Sequence, residues 1–395
     1  MLTREQNERL TKVGPHTPCG NLLRRYWQAV CPVAEITPAR PKKRIRILGE
    51  DLLVYRSAEG ELVCIEEHCS HRNVSLYRGF IEEGGIRCCY HGWKFDCSGK
   101  CVERPFETAD APPAADMKTY PVTKLGGMLF VYMGPGAPPV LPRWDVLVRE
   151  DRRRSILVMP THDCNWLQIQ ENTVDSVHSY YLHGHSARLD DLELNRDGRG
   201  AFYYRTITGY DWRTCDLGVE KVLQYSDEPS IEVRPPLIFP NVLRIPEGPR
   251  EALHFRIPID DEHTRIIHVE LLPANSGEPL PADQTPFVIE PDGPIGDDVI
   301  LDTFYLQDRV AWETQGAIAD RTHEVLGASD RGIVLFRRML AEQIDRVERG
   351  EDPTVGVIAE ADRDAMIDFS RDKLEWTWAE FKSRTIWDRA KEPVA

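Results

Sequence analysis

Two sets of side chains in this sequence have the types and spacings needed to hold metal. Cys69-Ser70-His71 and Cys88-Cys89-Tyr90-His91 read as Cys-x-His, sixteen residues, then Cys-x-x-His. Each short segment offers one thiolate and one imidazole, donors that suit zinc, iron and iron–sulfur clusters. Further on, Asn172, Asp175, His178 and His183 read as Asn-x-x-Asp-x-x-His-x-x-x-x-His. Two imidazoles and one carboxylate on one face of an iron leave positions open for dioxygen, and here the carboxylate has to come from elsewhere in the chain.

For the first set two readings compete. Cys₂His₂ sets hold zinc tetrahedrally, but the common zinc patterns pair Cys with Cys and His with His at other spacings. Two thiolates and two imidazoles are also the ligand set of a Rieske [2Fe-2S] cluster, in which two histidines on one iron raise the potential to roughly −150 to +300 mV. The ligand order favours the cluster, because the cysteines can hold one iron while the histidines hold the other. Cys89 is the ambiguity: as a ligand it gives Cys-x-His, where Cys88 gives Cys-x-x-His. Cys64, Cys69, Cys88, Cys89, Cys97 and Cys101 crowd into one stretch, while Cys19, Cys31, Cys164 and Cys215 are scattered. In a reducing compartment such crowding speaks for ligation or burial rather than disulfides.

The elements that must position these residues follow from periodicity. Residues 45–48, 52–55, 62–65 and 128–132 are short β-rich runs punctuated by turns, which predicts a small all-β domain over 42–136 after a lead-in of 1–41. Gly134-Pro135-Gly136-Ala137-Pro138-Pro139 is a boundary of the kind that separates domains, and 137–395 reads as a larger α+β domain. Its strands are expected at 242–245, 253–259 and 266–272, and its helices near 165–183, 309–318 and 330–349. On a regular α-helix His183 would lie roughly 140° round from His178, so the helix must bulge or end between them, with Gly184 as the expected terminator.

Composition narrows the function classes. A chain of 395 residues exceeds the usual span of a single core. The net charge of −15 opposes binding to nucleic acid and to anionic membrane surfaces. The charged N-terminus and the lack of an apolar run near ~20 residues point to a cytoplasmic protein. No G-x-G-x-x-G opens a strand-turn-helix unit, so reducing equivalents, NAD(P)H included, must reach the chain through another protein.

Both motifs, in this order and separation, with Arg72 after the first histidine and Gly92-Trp93 after the second, resemble the Rieske non-haem iron ring-hydroxylating oxygenases over nearly the whole chain. The respiratory Rieske proteins carry a disulfide whose cysteine positions are here Val74 and Tyr90. The run from Asp320 to Ile333, with Thr17-Pro18-Cys19-Gly20 and Arg24-Arg25-Tyr26-Trp27, is similar to the phthalate dioxygenase branch, which includes O-demethylases of lignin-derived aromatics. The resemblance implies a small Rieske domain followed by an antiparallel sheet with helices of helix-grip, START-like type.

It also implies a cluster on Cys69, His71, Cys88 and His91, with Cys89 a packed thiol nearby, and a mononuclear Fe(II) on His178 and His183. Their carboxylate partner would be Asp308, in the stretch Leu306 to Gly316, with Asp302 and Glu313 as alternatives. Asp175, supported by Asn172, would bridge the cluster of one subunit to the iron of its neighbour in a homotrimer or stacked trimers. A separate reductase would supply electrons, and O2 would be spent on hydroxylating, O-demethylating or cis-dihydroxylating an aromatic acid. Arg244, His254 and Arg256 are candidates to meet the acid, since arginine suits carboxylates, although salt bridges at the core edge compete for each. A different class, a Rieske electron carrier with a non-catalytic second domain, would have no use for the second metal set.

Overall fold

A computed structural model describes residues 1–108, 110–185, 205–245, 251–273, 275–296, 301, 303–369 and 372–374. The first part of the chain builds two four-stranded sheets that carry the cysteine segments. One orders the strands Lys42–Ile47, Glu50–Arg56, Leu62–Glu66 and Thr119–Tyr120, and the other Phe80–Glu82, Gly85–Arg87, Lys94–Phe95 and Cys101–Glu103. Leu53, Tyr55, Val63, Ile65, Leu76, Ile86 and Phe95 form a separate small core between them, with the buried Cys69 and Cys88 at its edge.

The lead-in does more than precede this unit. Trp27–Pro32 pairs antiparallel with Met128–Tyr132, which also pairs with Val122–Leu125. The apolar face of that three-stranded sheet belongs to the same core as the larger sheet beyond it, with Phe130 packing edge-on against Phe255 at 5.6 Å.

The larger unit is a nine-stranded, mostly antiparallel sheet in which Val242–Ile245, Glu251–Pro258, Thr264–Leu271 and Arg154–His162 lie side by side. Helix Arg331–Glu348 buries Phe336, Met339, Leu340 and Ile344 at helical spacing against it. The expected strands and this helix lie within a residue or two of their predicted spans.

Two expectations change. Helix 309–318 is instead Phe304–Glu313: the Thr303 hydroxyl accepts from Leu306 N–H and starts it early, and Gly316, at φ +90°, turns the chain out of it. The single helix expected over 165–183 is instead Trp166–Asn172, a turn, and a π-helical turn Ser179–His185.

Candidate metal centres

The two cysteine segments fold into the same turn. In each, the cysteine N–H donates to the carbonyl five residues on (Cys69 to Val74, 3.0 Å; Cys88 to Trp93, 2.8 Å). In each, the residue four on donates back to the cysteine carbonyl (Asn73, 2.9 Å; Gly92, 3.1 Å). That fourth residue is left-handed in both, Asn73 at φ 56° and Gly92 at φ 75°, which suits Asn and Gly. The twin turns bury both sulfurs and leave both imidazoles half-exposed. The His71 and His91 rings lie 4.6 Å apart, and Trp93 stacks on His71 at 4.4 Å, within 2° of parallel.

Burial pushes the Cys69 thiol up to about 11, and the adjacent Cys88 sulfur adds to this. Buried sulfurs inside and imidazoles outside suit a cluster with one iron toward each pair. A single zinc would draw all four ligand atoms close together. Among the described residues, the group of three or more that gathers its ligand atoms within 4.8 Å is a different one.

That group is His178, His183 and Asp308. Asp308 Oδ1 lies 3.5 Å from His183 Nε2 and 3.9 Å from His178 Nε2, and the two rings are 5.3 Å apart at 80°. The chain achieves this by abandoning the α-helix. Thr173, Val174 and Asp175 N–H groups bond three residues back, to Gln170, Glu171 and Asn172, and the Val174 carbonyl accepts from Trp212 Nε1 at 2.7 Å. Asp175 Oδ1 then accepts from the N–H groups of Val177 (2.9 Å) and His178 (3.2 Å), starting a new turn. The π turn, with its i to i+5 bonding, carries residues five apart to one side, and Gly184 lies inside it rather than ending it.

The supports are buried and polar. Gln168 donates to the carbonyls of Trp312 (2.9 Å) and Gly316 (2.8 Å), tying the first helix to the one that bears Asp308. Glu171 is clasped by Arg321 (2.9 Å) and Arg337 (2.6 Å). His183 Nδ1 meets Gln307 Oε1 at 2.8 Å. Burial lowers the His183 pKa, keeping a neutral ring available as a ligand. Asn172 Nδ2 approaches Asp308 Oδ1 at 3.4 Å. Asp175 Oδ2 faces His178 Nδ1 at 3.6 Å. Burial opposes ionisation of Asp175, but the nearby His178 ring and the two backbone N–H groups outweigh it and hold the carboxyl below its ordinary range.

The trio opens into a cavity of about 360 Å³. Its floor takes alternate residues from neighbouring strands: Ala252, His254 and Arg256 from one, Ile266, His268 and Glu270 from the next. Burial, then Arg256 and His162, push His268 down to about 3. Burial, His268 and Arg256 hold His254 well below its ordinary value. Arg256 is buried and donates to the Ile169 carbonyl and to Gln170 and Thr173, so it braces helix Trp166–Asn172, which leads into the His178 segment, while lining the cavity. Arg244 does not line it: its guanidinium is spent on Asp145 (2.6 Å) and Glu251 (2.7 Å). Glu313 turns to Arg309 (2.7 Å) and His162 (3.4 Å), away from the trio, and Asp302 lies outside the described residues. Gln307 and His268 carried no motif and were not expected at the site; only the closed fold brings them there. Cys89 is exposed.

Residues 26–121 match the family model of the Rieske [2Fe-2S] domain, and 295–394 match the LigXa C-terminal domain-like family. The chain is 36% identical over 370 residues to the 5,5'-dehydrodivanillate O-demethylase oxygenase subunit of Sphingobium sp., covering 89% of this chain and 83% of that protein. The chain belongs to the Rieske non-haem iron oxygenase family. It is also 30% identical to the phthalate 4,5-dioxygenase oxygenase subunit of Pseudomonas putida, over 98% of this chain and 96% of the relative. The fold of this Rieske oxygenase is that of the terminal oxygenase of carbazole 1,9a-dioxygenase from Novosphingobium sp., with a TM-score of 0.58 at 21% identity over 86% of this chain and 98% of the other. The chain is thus an oxidoreductase with a Rieske cluster domain and a sheet-plus-helix catalytic part. Among the described residues no helix is long and apolar enough to cross a membrane.

Proposed function

We propose that this Rieske oxygenase is the terminal component of a system that hydroxylates or O-demethylates an aromatic acid, either a methoxylated lignin-derived acid or a phthalate-like one. The observation that carries the reading is the convergence of His178, His183 and Asp308 at one end of a cavity large enough for a single substituted ring. In this reading 42–136 is the cluster-bearing domain and 137–395 the catalytic one. Cys69, His71, Cys88 and His91 hold the cluster, and the trio holds the iron. The iron would supply activation of dioxygen with electrons passed on from the cluster. The chain's own residues orient it: Gln307 fixes the His183 ring, and Asn172 and Asp175 flank Asp308 and His178.

The relatives are named as oxygenase subunits, which supports electron supply from a separate protein. We place the enzyme in the cytoplasm as a homotrimer or stacked trimers, with Asp175 linking one subunit's iron site to the neighbour's cluster. Ring cis-dihydroxylation is a second reading, supported by the relatives named as dioxygenases. An electron carrier with an inert second domain is disfavoured by the assembled trio. The test is turnover of a panel of aromatic acids with a compatible reductase, assayed for formaldehyde and for diols, beside iron analysis. Formaldehyde marks O-demethylation and a diol marks dihydroxylation. Iron no higher than two per chain, with no turnover of any acid, overturns the proposal.

A further inference from the structure

The cavity wall carries two histidines that the metal centres leave unused. His254 and His268 are directly opposed residues on neighbouring antiparallel strands, and their rings stack with centroids 3.6 Å apart and planes 12° apart. Both line the cavity that holds the trio. Each is influenced by burial and by neighbouring charges, and neither ring has a hydrogen-bond partner among the described residues. Neighbouring floor positions are filled by Leu243, Ile245 and Ile266, so packing alone does not require imidazole here.

The stacked geometry rules out a shared metal ion. Imidazole binds metal in its own ring plane at about 2 Å, and an ion that close to both nitrogens would lie well out of at least one of two planes 3.6 Å apart. What the pair can do is present two N–H donors side by side, one from each neutral ring. The charged residues lining the cavity are Lys221, Arg234 and Arg256 against Asp175, Asp308 and Glu270, with Arg234 also paired to Glu232 at 2.6 Å, so the lining carries no net charge that would compete with the paired donors. Two adjacent N–H donors favour an electron-rich oxygen substituent over a purely apolar one.

We propose that His254 and His268 form a paired-imidazole subsite that donates hydrogen bonds to an oxygen substituent, a carboxylate or a phenolic oxygen, on the substrate's aromatic ring. The inference rests on the aromatic-acid reading above and adds the residues that read the acid. Through this contact the pair sets which ring substituents are accepted and which part of the ring is turned toward the iron.

The test measures binding rather than turnover, on anaerobic holoenzyme with both metals loaded. Three probes separate the two oxygen sources: vanillate carries a carboxylate and a phenol, veratrate keeps the carboxylate alone, and guaiacol keeps the phenol alone. Dissociation constants are determined by calorimetry for wild type, His254→Leu, His268→Leu, His254→Phe and His268→Phe, with His254→Asn and His268→Asn retaining a donor. The leucine and phenylalanine variants should weaken the probes bearing the recognised oxygen about tenfold or more and spare the third, with asparagine recovering part of the loss. Loss confined to vanillate and veratrate identifies the carboxylate; loss confined to vanillate and guaiacol identifies the phenol. Uniform weakening of all three probes, or none, overturns the subsite. Wild type that binds no probe overturns the methoxylated-acid reading and the subsite with it, whereas wild type that binds and variants that do not differ overturn the subsite alone. Cluster absorption and iron content report folding, and the phenylalanine variants carry the same expectation should a leucine variant fail to fold.

Discussion

Gln307 holds His183 by its far nitrogen: Oε1 accepts from Nδ1 at 2.8 Å, while the Gln307 amide donates to the Leu301 carbonyl at 3.0 Å. The amide is thereby oriented with its oxygen toward the ring, so the proton of His183 sits on Nδ1 and the Nε2 lone pair faces Asp308. Gln307→Leu removes that acceptor and frees the ring. Iron affinity should fall about 10- to 100-fold, with the cluster spectrum unchanged. Asp308→Ala should deplete mononuclear iron outright while the cluster stays reducible. Metal analysis against chelator concentration checks both; full iron retention in the Asp308 variant would move the carboxylate ligand elsewhere.

The twin turns make a sharp prediction for the cysteines. Cys69 and Cys88 occupy equivalent places in two superimposable hydrogen-bonded loops, whereas Cys89 is exposed one residue along. Cys69→Ser, Cys88→Ser and His91→Ala should each abolish the visible absorption and paramagnetic signal of the cluster. Cys89→Ser should keep both. A cluster that survives the loss of Cys88 but not of Cys89 would reverse the ligand assignment.

Asp175 caps a turn and faces the Nδ1 of His178 at 3.6 Å. Asp175→Asn can still accept from the two backbone N–H groups, so fold, both metals and oligomer should persist. An amide can also present a donor where an imidazole N–H needs an acceptor. Most turnover should be lost, and in single-turnover experiments the reduced cluster should reoxidise slowly in the presence of substrate and dioxygen. Unchanged reoxidation and product yield at full metal content would refute a linking role.

Glu171 is buried between Arg321 and Arg337 and holds helix Trp166–Asn172 to Arg331–Glu348. Burial raises its pKa, but the two guanidinium groups outweigh this and hold it below 4.5. Its stabilising effect is therefore complete above that value and is lost as pH falls through the lower folded value. Glu171→Gln leaves the buried Arg321 without a carboxylate, while Arg337 keeps Glu324, and should cost roughly 3–5 kcal/mol at neutral pH. The variant's stability should also decline less steeply than that of wild type below pH 4.5. Denaturant unfolding across the acid range measures both effects.

What could be read from the sequence was local. Ligand type and spacing pointed to Cys69, His71, Cys88, His91, His178 and His183, and the 140° misfit of a regular helix announced a break between the last two, which appears as the π turn. The earlier end of the α-helix at Asn172 was not legible, because Trp212 captures the Val174 carbonyl just beyond it from a distant strand. Arg244, His254 and Arg256 looked alike as polar residues on strands, yet pairing sends Arg244 to Asp145 and turns the other two to the cavity. His268 gave no signal, since its meaning comes from standing opposite His254 across a strand pair.

The pairing of Trp27–Pro32 with Met128–Tyr132 has a mechanical consequence. The two ends of the cluster-bearing stretch are laced together in one small sheet, and that sheet is rooted in the same core as the catalytic strands. A unit fastened at both ends has no slack to spend. This anchoring at both ends differs from the single flexible tether that a shuttle would need. In the proposed reading the cluster would work as a fixed relay post, with donor and acceptor each brought to it, and the rate of electron passage would be set by how neighbouring molecules are seated.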